Sequence, residues 1–448
     1  MRVRFVAAIG LSLLLGHAIP AFARPQEGPP AEDPQQSHTP APTSPPQIAD
    51  AAVSAPTPPV VTGAAESHLV DVGDLWHHVR HVTPQAGTPS GYAPVQTAKH
   101  PFFFFSPSFS SKPSTGFSAG LASSIVFVAG DPATTHISSG DWSVSASAKG
   151  QFGTSVRFRI FTPENRWLFQ GDDRLAWTSQ TTYALGIVPD AIGEHMKYDR
   201  TRVYETVYRR VRSKMLVGAG LSLNSHSNIR PSTPGASYED SAYVAYSAEH
   251  GFAIDQQQSN GVSFNVLVDT RNNAINATRG WLASATYRTF LDGFFGGSST
   301  WQRLETEART YKAFDRERQT IAVWFLGEFV TGGVAPYFDL PSIADDTYGR
   351  SARGYTTGRY RGPHLVYGEV EYRAALMRNK LLGGVLFANA TAVDDTSGQQ
   401  PLFSTVAPAA GAGLRLLVSK RSLANLCVDY GWGRDGSRGF YLAMRETF

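Results

Sequence analysis

The chain has 448 residues, a formal net charge of +3, 12% aromatic residues, 42 glycines and a single cysteine, Cys427. Interleaved acids and bases with so small a surplus leave no electrostatic footprint for nucleic acid. One cysteine excludes an internal disulfide, and no uninterrupted apolar run of roughly 20 residues is present to cross a bilayer as a helix. Rich aromatics with a mean hydropathy of -0.21 fit strands in which apolar and polar residues alternate and average out.

At the N-terminus, Arg2 and Arg4 precede an apolar run from Phe5 to Leu15, and Ala21-Phe22-Ala23 supplies a small-residue cleavage pattern. Residues 1–23 therefore read as a signal peptide cleaved on export. No cysteine follows to take a lipid anchor. Residues 24–66, dominated by Pro, Ala, Gln, Ser and Thr, cannot bury enough apolar surface to offset ordering entropy and read as a disordered linker. Residues 67–100 form a short periplasmic segment in which VDVGDLWHHVRH, at 70–81, reads as a short amphipathic helix. His77 and His81 would share a face of it, as metal ligands can. No neighbouring carboxylate or cysteine completes a site, so a solvated histidine patch is the preferred reading, and neither cofactor nor resident metal is expected.

From about residue 101 to Phe448 the pattern has period two. Val262, Phe264, Val266 and Val268 alternate with Ser263 and Asn265; Val366, Val370 and Tyr372 oppose Glu369, Glu371 and Arg373; Leu426, Val428, Tyr430 and Trp432 oppose Asn425, Cys427 and Asp429. About sixteen such strands fit, among them 102–110, 166–177, 202–211, 215–223 and 439–448. Connections alternate between short (162–165, 212–214, 314–317, 377–381, 419–422) and long (178–201, 224–261, 332–363, 394–409). Short turns at one end and long loops at the other predict an all-β, transmembrane antiparallel barrel whose apolar faces meet lipid and whose charges line a wet lumen. Pro107, which cannot donate a ladder hydrogen bond, weakens the first strand.

Two other chemistries are suggested and set aside. Gly116-Phe117-Ser118-Ala119-Gly120 matches the nucleophile elbow of serine hydrolases, but that motif needs a strand-to-helix turn and an alternating strand follows here, so no enzyme is expected. Asp172-Asp173, Asp345-Asp346 and Asp394-Asp395 could hold a hard cation, yet solvated or ion-paired carboxylates are the ordinary state of such pairs.

The last strand, GFYLAMRETF, places Phe440, Leu442, Met444 and Phe448 on one face, interrupted by Glu446. A terminal aromatic after alternating apolar residues resembles the signal read by the outer-membrane assembly machinery.

Residues 349–361, GRSARGYTTGRYR, resemble the RG[YF] loop of the bacterial surface antigen family, the BamA-like assembly factors and two-partner secretion transporters. NRWLFQGDDRLAW (165–177), VDTRNNAINATRGW (268–281), PYFDLP (336–341), LLGGVLFANA (381–390) and NLCVDYGWGRDGSRGFYLAMRETF (425–448) are similar to segments of its small members, so the resemblance runs from about 100 to 448. It implies a sixteen-stranded barrel in which the loop between strands eleven and twelve folds into the lumen. It also implies that Arg353, followed by Gly354 and Tyr355, pairs with an acid on the inner wall. Asp429 is the leading candidate, with Glu369 and Glu371 as alternatives. The expected function is outer-membrane protein or lipid assembly or translocation, with the loop as a latch. Its partners would be outer-membrane lipids, the assembly machinery during insertion, and an unfolded-protein or lipid client. A passive pore or structural surface barrel is the alternative. The resemblance departs at residues 24–100, which lack the apolar periodicity of a polypeptide-transport-associated (POTRA) domain.

Overall fold

The computed structural model describes residues 47–49 and 102–448, with breaks at 113–115, 132–133, 137, 149, 233–235, 274–275, 348, 420–422 and 444–445. The signal peptide, all of the linker but Gln47–Ala49, and the helix with His77 and His81 lie outside the described residues.

A short strand, β1 (Gln47–Ala49), precedes sixteen longer ones. These are β2 (Phe102–Lys112), β3 (Gly116–Phe127), β4 (Ser138–Ser147), β5 (Phe152–Phe161), β6 (Trp167–Thr182), β7 (Glu194–Arg212), β8 (Met215–Pro231) and β9 (Gln257–Asp269). They continue as β10 (Arg279–Phe290), β11 (Trp301–Phe314), β12 (Gln319–Gly333), β13 (His364–Ala375), β14 (Leu382–Val393), β15 (Val406–Ser419), β16 (Ala424–Trp432) and β17 (Arg438–Ala443). Each of the sixteen pairs antiparallel with the next. At the end of this series β1 pairs in parallel with Gly439–Tyr441 of β17 and lies against β2, so its three residues stand at the seam between the first and the last of the long strands.

The strands are inside-out relative to a soluble sandwich. Phe264 is 56% exposed and Trp177 53%, whereas Glu371 is 0% and Asp429 4% exposed. Along β9, exposed Val262 and Phe264 alternate with buried Ser263, Asn265 and Leu267. That arrangement is stable only where lipid covers the apolar face and charges solvate one another inside. No helix among the described residues is long and apolar enough to cross a membrane.

Two expectations need correction, and a third holds. β6, β7 and β8 run to Thr182, from Glu194 and to Pro231, well past the predicted limits. The additions, such as TSQTT and NSHSNIRP, are polar on both faces and carry no period-two signal, because they stand clear of the apolar band. β17 ends at Ala443 rather than continuing to Phe448. The GFSAG motif at 116–120 opens β3, which runs on to Phe127 without a turn into a helix, so Ser118 has no elbow to stand on.

At the long-loop end, the β8–β9 connection holds α1 (Ala236–Glu239) and α2 (Ala242–Glu249). The Ser241 side chain accepts from the Val244 N–H and caps α2. α2 seats Tyr243 and Tyr246 against Tyr337 and Phe338, closing that end with tilted and edge-on aromatics.

Candidate functional site

The β12–β13 connection, residues 334–363, joins the eleventh and twelfth of the long strands. Its two ends are tied together by buried Arg361, which donates to the carbonyls of Tyr337 (2.9 Å) and Leu340 (3.1 Å). Between these ends the chain engages the inner wall at two places of opposite charge.

The first is an acidic wall. Arg353, 2% exposed, bonds Glu369 Oε1 at 2.5 Å and Asp429 Oδ2 at 2.6 Å and also contacts the Glu371 carboxylate. Its guanidinium lies 3.6 Å from the centre of the Phe387 ring. A buried cation is tolerable only when every donor finds a charged or polar partner, and the planar fork of Arg supplies donors in the directions that several carboxylates can share. The cluster extends further. Arg373 bonds Glu371 at 2.5 Å, and Arg415 bonds Asp429 at 2.5 Å and Glu446 at 2.7 Å. Three guanidiniums thus face four carboxylates. The Tyr367 hydroxyl, donating to Glu369 at 2.5 Å, and the Asn389 amide, donating to Glu369 at 3.3 Å, help to solvate the excess.

The bend that aims Arg353 belongs to its neighbour. Gly354 has φ +112°, and a Cβ there would stand 2.9 Å from the Ala409 Cβ and 3.1 Å from the Trp432 carbonyl carbon. Neither the conformation nor the space admits a side chain. The Gly354 N–H donates to the Tyr441 hydroxyl at 2.6 Å, which ties the loop tip to β17. Tyr355 is buried; its hydroxyl donates to Pro408 O at 2.6 Å and accepts from the Arg434 N–H at 2.9 Å.

The second place is a basic wall. Asp345 is bidentate to Arg200 at 3.0 and 3.2 Å, with Arg202 at 3.5 Å, both on β7. Arg174 of β6 donates to Thr347 O at 2.6 Å. Burial alone would raise the Asp345 carboxyl, but the Arg200 and Arg202 guanidiniums outweigh it and hold it well below the usual carboxylate range.

Placement of the predicted residues is uneven. Arg353, Glu369, Glu371 and Asp429 come together, so all three acid candidates are engaged rather than one. The terminal pattern divides. Phe440 and Leu442 lie in β17, Met444 is outside the described residues, and Phe448 turns inward against Trp324, its carbonyl accepting from Arg373 at 2.9 Å. The reason is Glu446: its carboxylate finds Arg415 inside, whereas continued strand geometry would have put it on the lipid face. The paired aspartates separate too. Asp172 bonds Arg157 and Arg174, Asp346 accepts from the Arg350 and Ser351 N–H groups, and Asp394 bonds His364. Sequence reasoning did not assign Arg373, Arg415, Tyr367 or Tyr441 to the site, and it offered Asp345 only as half of an acidic pair. Arg373 was legible, since it shares the inward period of Glu369 and Glu371.

The Omp85 superfamily domain matches residues 140–448, which takes in every strand from β5 onward and the whole of the loop. The fold is similar to that of BamA from Haemophilus ducreyi lacking POTRA domains 1–3, with TM-score 0.51 and 14% identity over 77% of this chain and 69% of that one. CdiB from Acinetobacter baumannii aligns at TM-score 0.47 and 14% identity over 77% of this chain and 59% of its own. CdiB from Escherichia coli aligns at 0.47 and 11% over 74% and 58%. This chain therefore spans less than two thirds of either CdiB. No curated protein matches. With its domain matched over more than half its length, the chain belongs to the Omp85 superfamily of outer-membrane β-barrel transporters and assembly factors.

Proposed function

We propose that the protein handles a polypeptide or lipid client at the bacterial outer membrane, reached by export through a cleaved signal peptide. In this reading loop 334–363 is a latch that blocks the lumen until it is released. The observation that carries the reading is Arg353, fully desolvated among Glu369, Glu371 and Asp429. Two features link the latch to a lateral opening. β17 has only six residues, against eleven in β2 across the seam, whose Pro107 lacks a donor. The Tyr441 hydroxyl connects β17 to the loop tip. Release of Arg353 would therefore loosen the strand that closes the barrel. Before folding, Phe440, Leu442, Met444 and Phe448 would serve as the recognition pattern for the assembly machinery, and Phe448 would turn inward afterwards.

Planar-bilayer conductance of wild type and Arg353→Ala tests the latch. Larger or less steady currents are expected from the variant, and identical traces would contradict it. Loss of the gene should lower the level of other barrel proteins or change outer-membrane lipids. Normal levels of both would leave a passive surface barrel as the better account.

A further inference from the structure

The outer face of β6 carries Trp167 and Trp177, both exposed and ten residues apart on one strand. At about 3.3 Å per residue and a tilt near 40°, they stand about 25 Å apart along the barrel axis, the height of an apolar band between aromatic girdles. Asp173 lies between them on the same face. Its neighbour Asp172 points inward to Arg157 and Arg174, so the two acids occupy different media.

Glu205 of β7 lies on that outer face as well, flanked by Val203 and exposed Val207. The register pairs Asp173 with Val203 and Gly171 with Glu205, which makes the two acids diagonal neighbours. Gly171 provides the room: a Cβ on it would stand 2.8 Å from Glu205 Oε1. The two carboxyls are hydrogen-bonded to each other. Asp173 is 8% exposed and its Oδ1 has no partner. Among the described residues neither acid has an ion pair. The surroundings on β5 and β8 are Val156, Phe158, Leu221 and Leu223, opposite or beside them in register. Arg209, a basic residue on this face of β7, is engaged with the Trp167 ring at 5.5 Å, and the charges behind the sheet are already paired, Asp172 with Arg157 and Arg174 and Arg202 with Asp345.

Two adjacent anions in acyl chains would repel without screening, whereas one proton shared between the two carboxyls removes the repulsion. We propose that Asp173 and Glu205 are a proton-sharing carboxyl pair set in the lipid-facing wall at the middle of the membrane, and that this shared proton makes the barrel sensitive to alkali. The folded chain holds a proton that the unfolded, hydrated chain releases, so stability falls as pH rises above the range of free carboxyls. β6 and β7 also supply the inner anchors of the loop, Arg174, Arg200 and Arg202. Loosening this wall from outside would therefore slacken the basic-wall anchor.

The full chain reconstituted in ether-linked phosphatidylcholine, which has no ester carbonyl, allows a direct infrared reading. At pH 6 the wild type should show a protonated-carboxyl C=O band that is weakened in Asp173→Asn/Glu205→Gln. Between pH 6 and 9 the unfolding equilibrium of wild type should rise by up to about tenfold per pH unit for one proton, while that of the double variant stays flatter. An unchanged band, or equal pH dependence in both proteins, would overturn the proposal. Should the double variant fail to fold, the wild type decides alone: the band must be present at pH 6 and fade by pH 9, and its absence or its persistence refutes the pair.

Discussion

A guanidinium sealed from water is stable here because Glu369, Glu371 and Asp429 converge on it from two strands. Arg353→Gln should leave those carboxylates without their cation, and breaking a buried pair in this way costs about 3–5 kcal/mol, read as a lowered urea midpoint in vesicles. Arg353→Lys keeps the charge but loses the fork, and should fall between the two. Gly354→Val forces a β-branched residue to φ +112° and against Ala409; strain of about 1–3 kcal/mol should unseat the loop and raise conductance with the arginine intact. The sequence pointed to Arg353 through a motif and to its acids through their alternation. It hid Glu446, because a carboxylate following apolar residues at period two reads as a continuing strand. Only the end of β17 at Ala443 lets it turn to Arg415.

The loop is a clamp with two jaws of opposite sign, and one of them responds to acid. Because its arginines hold the Asp345 carboxyl below the usual range, that jaw contributes fully above about pH 4 and loses its contribution as pH falls further, when the folded state must take up a proton. Single-channel currents of wild type should grow or become unsteady on acidification from pH 6 to 3. Asp345→Asn should be unsteady at pH 6 already and change less with acid. A flat wild-type response would count against this second anchor. The long strands were legible because each crosses an apolar band that forces alternation. The outer reaches of β7 and β8 were not, since beyond that band both faces are polar and a strand there looks like loop. Asp345 was visible only as half of an acidic pair; its partners Arg200 and Arg202 lie some 140 residues away in the chain.

In the whole molecule greasy residues lie outside, charged residues lie inside, and the lumen holds a loop whose tip presses on β16 and β17. Cys427, the single cysteine, reports on this directly. It is 2% exposed and shares a small cavity with Arg350, Arg353, Asp429 and Tyr441, so the seated loop shields it from the aqueous lumen. The decisive measurement is its rate of labelling by a water-soluble maleimide in reconstituted protein, with urea-unfolded chain as the reference. The wild type should resist labelling, and Arg353→Ala that retains its heat-modifiable barrel should label at a rate approaching the reference. Rapid labelling of the wild type, or equal protection in the folded variant, would contradict a loop held in the lumen by Arg353.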